Sequence, residues 1–170
     1  TAASVPDEVR ALGRRSLGVQ GDLTQREAAD ALVARTLADF GRVDILVNNA
    51  GGAFSPVERS AASRFPDEDM AQMFGVNYLS AVHCCQAVAE PMRAQRSGVI
   101  VNIATMVALD ASKSGANLTP YSVAKAAVLH YTRHLAAELG PVGIRVNCLS
   151  PGGMLTQRIR KQSEGRNMHT

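Results

Sequence analysis

Short apolar runs alternate with longer stretches of helical spacing along this chain, and that alternation restricts the fold more than any other feature. Val43-Asp-Ile-Leu-Val47 is a nearly continuous apolar run of strand length, the signature of a parallel strand covered on both faces. Ser16–Gln20, Val99–Ile103 and Ile144–Leu149 read as three further strands. Between them, Gln25–Phe40 repeats apolar residues at helical intervals and stops at Gly41. Asp67 to about Arg96 reads as one long helix that Pro91 should kink or break near its end. Tyr121–Leu139 reads as another, closed by Gly140-Pro141. The order β-α-β-α-β-α-β with short connections predicts an α/β fold: a doubly wound parallel sheet between two helical layers.

Composition narrows the function classes. Hydrophobic residues make up 46% of the 170 residues, enough for a core. The net charge of +3 comes from the last twenty residues, where Arg158, Arg160, Lys161 and Arg166 face the single acid Glu164. With 4% aromatic residues and no Trp, the basic face with interleaved rings expected of a nucleic-acid binder is missing. No apolar stretch is long enough for a membrane span, and the start of the chain lacks a basic, apolar leader, so the cytoplasm is the expected compartment and no membrane partner is expected. Cys84, Cys85 and Cys148 have neither disulfide nor zinc spacing and read as small buried hydrophobes. His130 and His134, one helical turn apart, read as a surface pair, and no metal site is expected.

In doubly wound sheets, ligands bind outside the carboxyl ends of the strands. The residues there are Asp22, Asn48 to Gly51, Ala104-Thr105 and Pro151-Gly152. Asp22 is suited either to accepting a hydrogen bond or to capping the next helix. Tyr121-Ser-Val-Ala-Lys125 sets a phenol and an ammonium on one helix face. A fixed ammonium favours the phenolate and makes the tyrosine usable as a general acid or base nearer neutral pH.

Gly21-Asp-Leu, Asn48-Asn-Ala-Gly, Asn77, Asn102-Ile-Ala-Thr, Tyr121-Ser-Val-Ala-Lys and Arg145-Val-Asn-Cys-Leu-Ser-Pro-Gly stand in the order found in the short-chain dehydrogenase/reductase family, which the chain resembles from about Arg14 to Thr156. The resemblance implies a single NAD(P)-binding, Rossmann-like domain over residues 1–170. It further implies hydride transfer between NAD or NADP and a ketone or secondary alcohol. Tyr121 is the implied acid/base, Lys125 its helper and ribose contact, and Asn77 the support of a proton-relay water. Asp22, with Leu23 beside it, falls on the adenine side. Asn49, Ala50 and Gly51 line the adenosine ribose, and Pro151, Gly152 and Thr156 the nicotinamide and pyrophosphate side. Thr105 stands where the family places its catalytic serine, although its gap to the tyrosine is longer than usual; Ser112 and Ser114 are the rival hydroxyls.

The resemblance also implies a homodimer or homotetramer. The family's glycine-rich T-G-x-x-x-G-x-G loop is absent from these residues, and so are two strands that its sheet sets between Ser16–Gln20 and Val43–Val47. Sequence before Thr1 and after Thr170 is therefore expected in the functional molecule. The competing readings are an epimerase or dehydratase relative, and a non-catalytic interaction module of the same fold.

Overall fold

The computed structural model describes residues 5–114 and 117–154. Its elements, in chain order, are α1 (Val5–Ala11), α2 (Arg26–Phe40), β1 (Ile45–Asn48), α3 (Asp67–Phe74), α4 (Ser80–Gln95), β2 (Gly98–Ile103), α5 (Thr119–Leu139) and β3 (Ile144–Leu149). The strands form one parallel sheet in the order β1-β2-β3. Val47 lies opposite Val101, and Asn102 opposite Cys148.

One face of the sheet carries the core. Ile100, Ile144 and Val146 pack against Val33 of α2, Cys85, Val88 and Met92 of α4, and Leu135 and Leu139 of α5. Ile100 is fully buried, and truncating such a residue to Ala costs about 2–5 kcal/mol. The side chains that alternate with these point away from α2, α4 and α5. Among them Ile45, Val47 and Leu149 are 63%, 55% and 57% exposed. The described residues thus supply the sheet and the helical layer over one of its faces. No helix among them is long and apolar enough to cross a membrane. Cys84 and Cys85 are buried and all three cysteines are free, in line with their reading as small hydrophobes.

Four expectations need correction. Ser16–Gln20 is not a strand: an extended segment becomes one only by pairing, and none of β1, β2 and β3 pairs with it. The long helix is divided, because Gly75–Leu79 winds as a π-helical turn between α3 and α4. The second part, α4, carries Pro91 in its last turns and ends at Gln95, with Met92 fully buried against the core. Helix α5 begins at Thr119, so that Pro120 falls in its first turn, where a missing N–H leaves no bond unmade. At its other end Gly140 is still right-handed, and the chain turns at Gly143 (φ +85°). A Cβ there would sit 2.6 Å from the Arg96 carbonyl oxygen.

Candidate active site

Three loops leave the carboxyl ends of β1, β2 and β3 side by side, and α5 begins beside them. Asn49, Gly51, Thr105, Tyr121, Lys125, Pro151 and Gly152 line one cavity of about 190 Å³. Asp22, Leu23, Ala50 and Gly51 line a second of about 230 Å³, together with Phe54 and Val76. Gly51 borders both. Among the described residues every expected site residue except Asn77 therefore lies on one of two adjoining cavities. Thr156 lies outside the described residues, as does the Ser114 side chain. A larger open cavity of about 390 Å³ beside Arg10, Arg14 and Arg15 contains none of the expected residues.

Lys125 is only 4% exposed. Its Nζ donates to the Ile103 carbonyl oxygen at 2.7 Å, across from α5 to the end of β2. Burial holds its pKa below the usual lysine range, an effect that Cys148 nearby partly opposes. An ammonium has three N–H donors, and among the described residues this carbonyl is its acceptor, which leaves donors for a ligand in the cavity. Tyr121 is half-buried on the turn before it.

Thr105 is extended (φ −159°, ψ 153°) at the end of β2 and precedes a short 3-10 turn, Met106–Ala108. Its hydroxyl does not cap that turn. The rival Ser112 lines neither cavity; its Oγ donates to Asp110 Oδ1 at 2.6 Å. Asp22 does not cap α2, whose N-cap is Gln25. Its Oδ1 accepts from the Thr24 hydroxyl and backbone N–H, which hold its pKa below the usual carboxylate value.

Asn77 is buried behind the cavities, in the π-helical turn. Its Oδ1 accepts from Gly52 N at 2.9 Å. Its Nδ2 donates to Gly52 O at 3.0 Å and Met73 O at 3.1 Å. The carboxamide is thus spent on clamping the loop after β1. The loop bends toward it at Gly51 (φ +128°), where a Cβ would lie 2.6 Å from Asn77 Oδ1.

Sequence reasoning missed a polar chain under the site. Asn48 Nδ2 donates to Asn102 Oδ1 at 2.8 Å, and Asn102 Nδ2 to Thr132 Oγ1 at 2.9 Å. Thr132 Oγ1 in turn donates to Val128 O. Buried polar groups need such partners, and this chain fixes the rotation of α5 against the strand ends. Asn48 and Asn102 stood in motifs that drew attention; Thr132 had no signal beyond a hydroxyl on an apolar helix. Phe54 was also missed, in a loop that looked like a plain connection.

A family model described as short chain dehydrogenase matches residues 1–167. The chain is 38% identical over 156 residues to a cyclohexanol dehydrogenase of Rhodococcus sp. strain TK6, covering 92% of this chain and 57% of that protein. It is 45% identical over 147 residues to the (2S)-[(R)-hydroxy(phenyl)methyl]succinyl-CoA dehydrogenase subunit BbsD of Thauera aromatica, covering 86% and 56%. Among solved structures, a NAD+-bound xylitol dehydrogenase superposes with a TM-score of 0.83 at 33% identity, covering 95% of this chain and 60% of that one. The chain therefore spans less than two thirds of the length of these relatives.

Proposed function

The chain belongs to the short-chain dehydrogenase family, and from that premise we propose that it is the catalytic part of an oxidoreductase acting on a secondary alcohol or its ketone, with NAD or NADP as cofactor. The observation that carries this reading is Lys125: a buried lysine, tied to the Ile103 carbonyl oxygen, on the wall of a cavity that Tyr121 and Thr105 also line. The two cavities suit the two ends of a dinucleotide. Asp22, Leu23, Ala50 and Gly51 would hold the adenosine end. Lys125 would donate to the hydroxyls of the nicotinamide ribose, with Asn49, Pro151, Gly152 and, further along the chain, Thr156 around it. Bound there, the nicotinamide ring accepts or supplies the hydride.

The protein side of the reaction is proton handling. In oxidation the alcohol carbon gives up a hydride and its oxygen a proton, leaving the ketone, the reduced cofactor and one released proton. Tyr121 Oη takes the proton as the C–O bond gains double-bond character. The Thr105 hydroxyl steadies the substrate oxygen while charge develops on it. Asn77 acts at one remove, by holding the Asn49–Gly52 wall in register. Leu79 and Val123 stay 40% and 42% exposed beside α4 and on α5, and we assign those helices to a twofold dimer or a tetramer of such pairs, working in the cytoplasm.

In the full-length protein, Tyr121→Phe should lower kcat by about 10²–10⁴-fold while NADH or NADPH binding, followed by fluorescence, survives. Lys125→Ala should weaken both. A Tyr121→Phe enzyme retaining more than about a tenth of the rate removes Tyr121 from the chemistry.

A further inference from the structure

A further cavity, of about 230 Å³, is lined by Tyr121 but not by Lys125. It shares Thr105, Tyr121, Pro151 and Gly152 with the catalytic cavity and adds Met106, Val107, Leu118 and Gly153. Its position beside both hydroxyls, away from the lysine, is where the rest of a substrate must lie if its oxygen sits between Thr105 and Tyr121. Among the described residues that line it there is no Asp, Glu, Lys, Arg or His, and its side-chain polar groups are the two catalytic hydroxyls alone.

The apolar wall is held on two sides. Met106 N donates to Pro151 O at 2.9 Å, which ties the loop after β2 to the loop after β3. Ser122 Oγ donates to Val107 O at 2.9 Å, which ties the same turn to α5. Met106 lies over Gly152, its methyl carbon 3.5 Å from where a Cβ would stand. Met106 and Val107 thus stand on a turn tied at both residues, and Leu118, at the start of α5, completes the apolar lining.

We propose that this cavity takes the non-reacting part of the substrate and that this part is apolar and uncharged: a secondary alcohol or its ketone with a hydrocarbon body, not a hydroxy acid, a sugar acid or a coenzyme A thioester. The proposal rests on the oxidoreductase reading above. An ionised group brought against Met106, Val107 and Leu118 loses its hydration and finds no counter-charge among the described residues that line the cavity. An added methylene gains about fourfold in binding for the area it buries. Membership of the family does not decide this, because its members named above act on an alicyclic alcohol, a coenzyme A thioester and a polyol.

The test compares 4-methylcyclohexanol with 4-hydroxycyclohexanecarboxylate, a pair of similar size, as substrates of the full-length protein. The expected kcat/KM ratio is about 10²-fold or more in favour of the methyl compound, the scale on which a site rejects a group it leaves unpaired. Met106→Lys should cut that ratio at least tenfold, through better turnover of the carboxylate, while cofactor binding by fluorescence stays intact. Leu118→Lys serves the same purpose if Met106→Lys fails to fold. Equal or better turnover of the carboxylate by wild type, abolished by Tyr121→Phe, overturns the substrate class and leaves the oxidoreductase reading standing. No turnover of either compound despite intact cofactor binding overturns both.

Discussion

Replacing Asn77 probes the clamp that holds the loop after β1, and its cost follows from the hydrogen bonds. Asn77→Ala removes three, two to Gly52 and one to Met73 O. A typical intramolecular bond contributes about 1 kcal/mol net, and a buried group left unpaired costs about 1–3 kcal/mol. Gly52 is half-buried, so water partly replaces the lost partner, and the expected loss is about 2–3 kcal/mol, close to the net worth of the three bonds alone. Asn77→Asp sharpens the test because it keeps the shape. One carboxylate oxygen still accepts from Gly52 N. The other replaces Nδ2 and faces two carbonyl oxygens at the positions now 3.0 and 3.1 Å away. The native state therefore favours the protonated acid, which raises the folded pKa above the unfolded value of about 3.9. Stability held at low pH is then lost as pH rises from that unfolded value through the raised one. Urea unfolding followed by circular dichroism at pH 4.5 and pH 7.5, each against wild type at the same pH, reads both effects. If Asn77→Asp matches wild type at pH 7.5, or Asn77→Ala costs less than about 1 kcal/mol, the carboxamide is not the clamp described.

Gly51→Ala should destabilise by more than a surface change, because the new methyl meets Asn77 Oδ1 at 2.6 Å in a left-handed backbone; thermal melting with cofactor titration reads the stability and loop effects together. Lys125→Met should abolish turnover while holding or raising stability at neutral pH. Burial depresses the lysine pKa, so the charged group costs stability below that depressed value, and the cost fades as pH rises toward the ordinary value near 10.4; urea unfolding at pH 7 and pH 10 should show the advantage of the variant shrinking, and an advantage that grows would refute it. Thr105→Ala should lose about 10²-fold in kcat and Ser112→Ala very little, measured on any accepted substrate; the reverse result transfers the hydroxyl's role to the serine.

Periodicity and turn chemistry made much of this protein legible. The apolar runs of β2 and β3, the helical spacing of α2 and α5 and the stop at Gly41 are local signals, and the structure keeps them to within a residue or two. The motif order pointed to Asn49, Thr105, Tyr121, Lys125 and Gly152, which lie after strand ends or on the helix beside them, since a parallel sheet brings all its carboxyl ends to one side. Tertiary structure decided what depends on pairing at a distance. Ser16–Gln20 has strand composition but no partner. The side chain of Asn77 holds Gly52, 25 positions away, a partner that no local pattern names. The Asn48–Asn102–Thr132 chain exists only because register sets Asn48 opposite Asn102 and α5 crosses above them. Met106 and Leu118 share a wall because one loop is pinned to Pro151. A local pattern states which face of an element is apolar; which side chains meet across that face is fixed only when strands take their register and each buried polar group finds its partner.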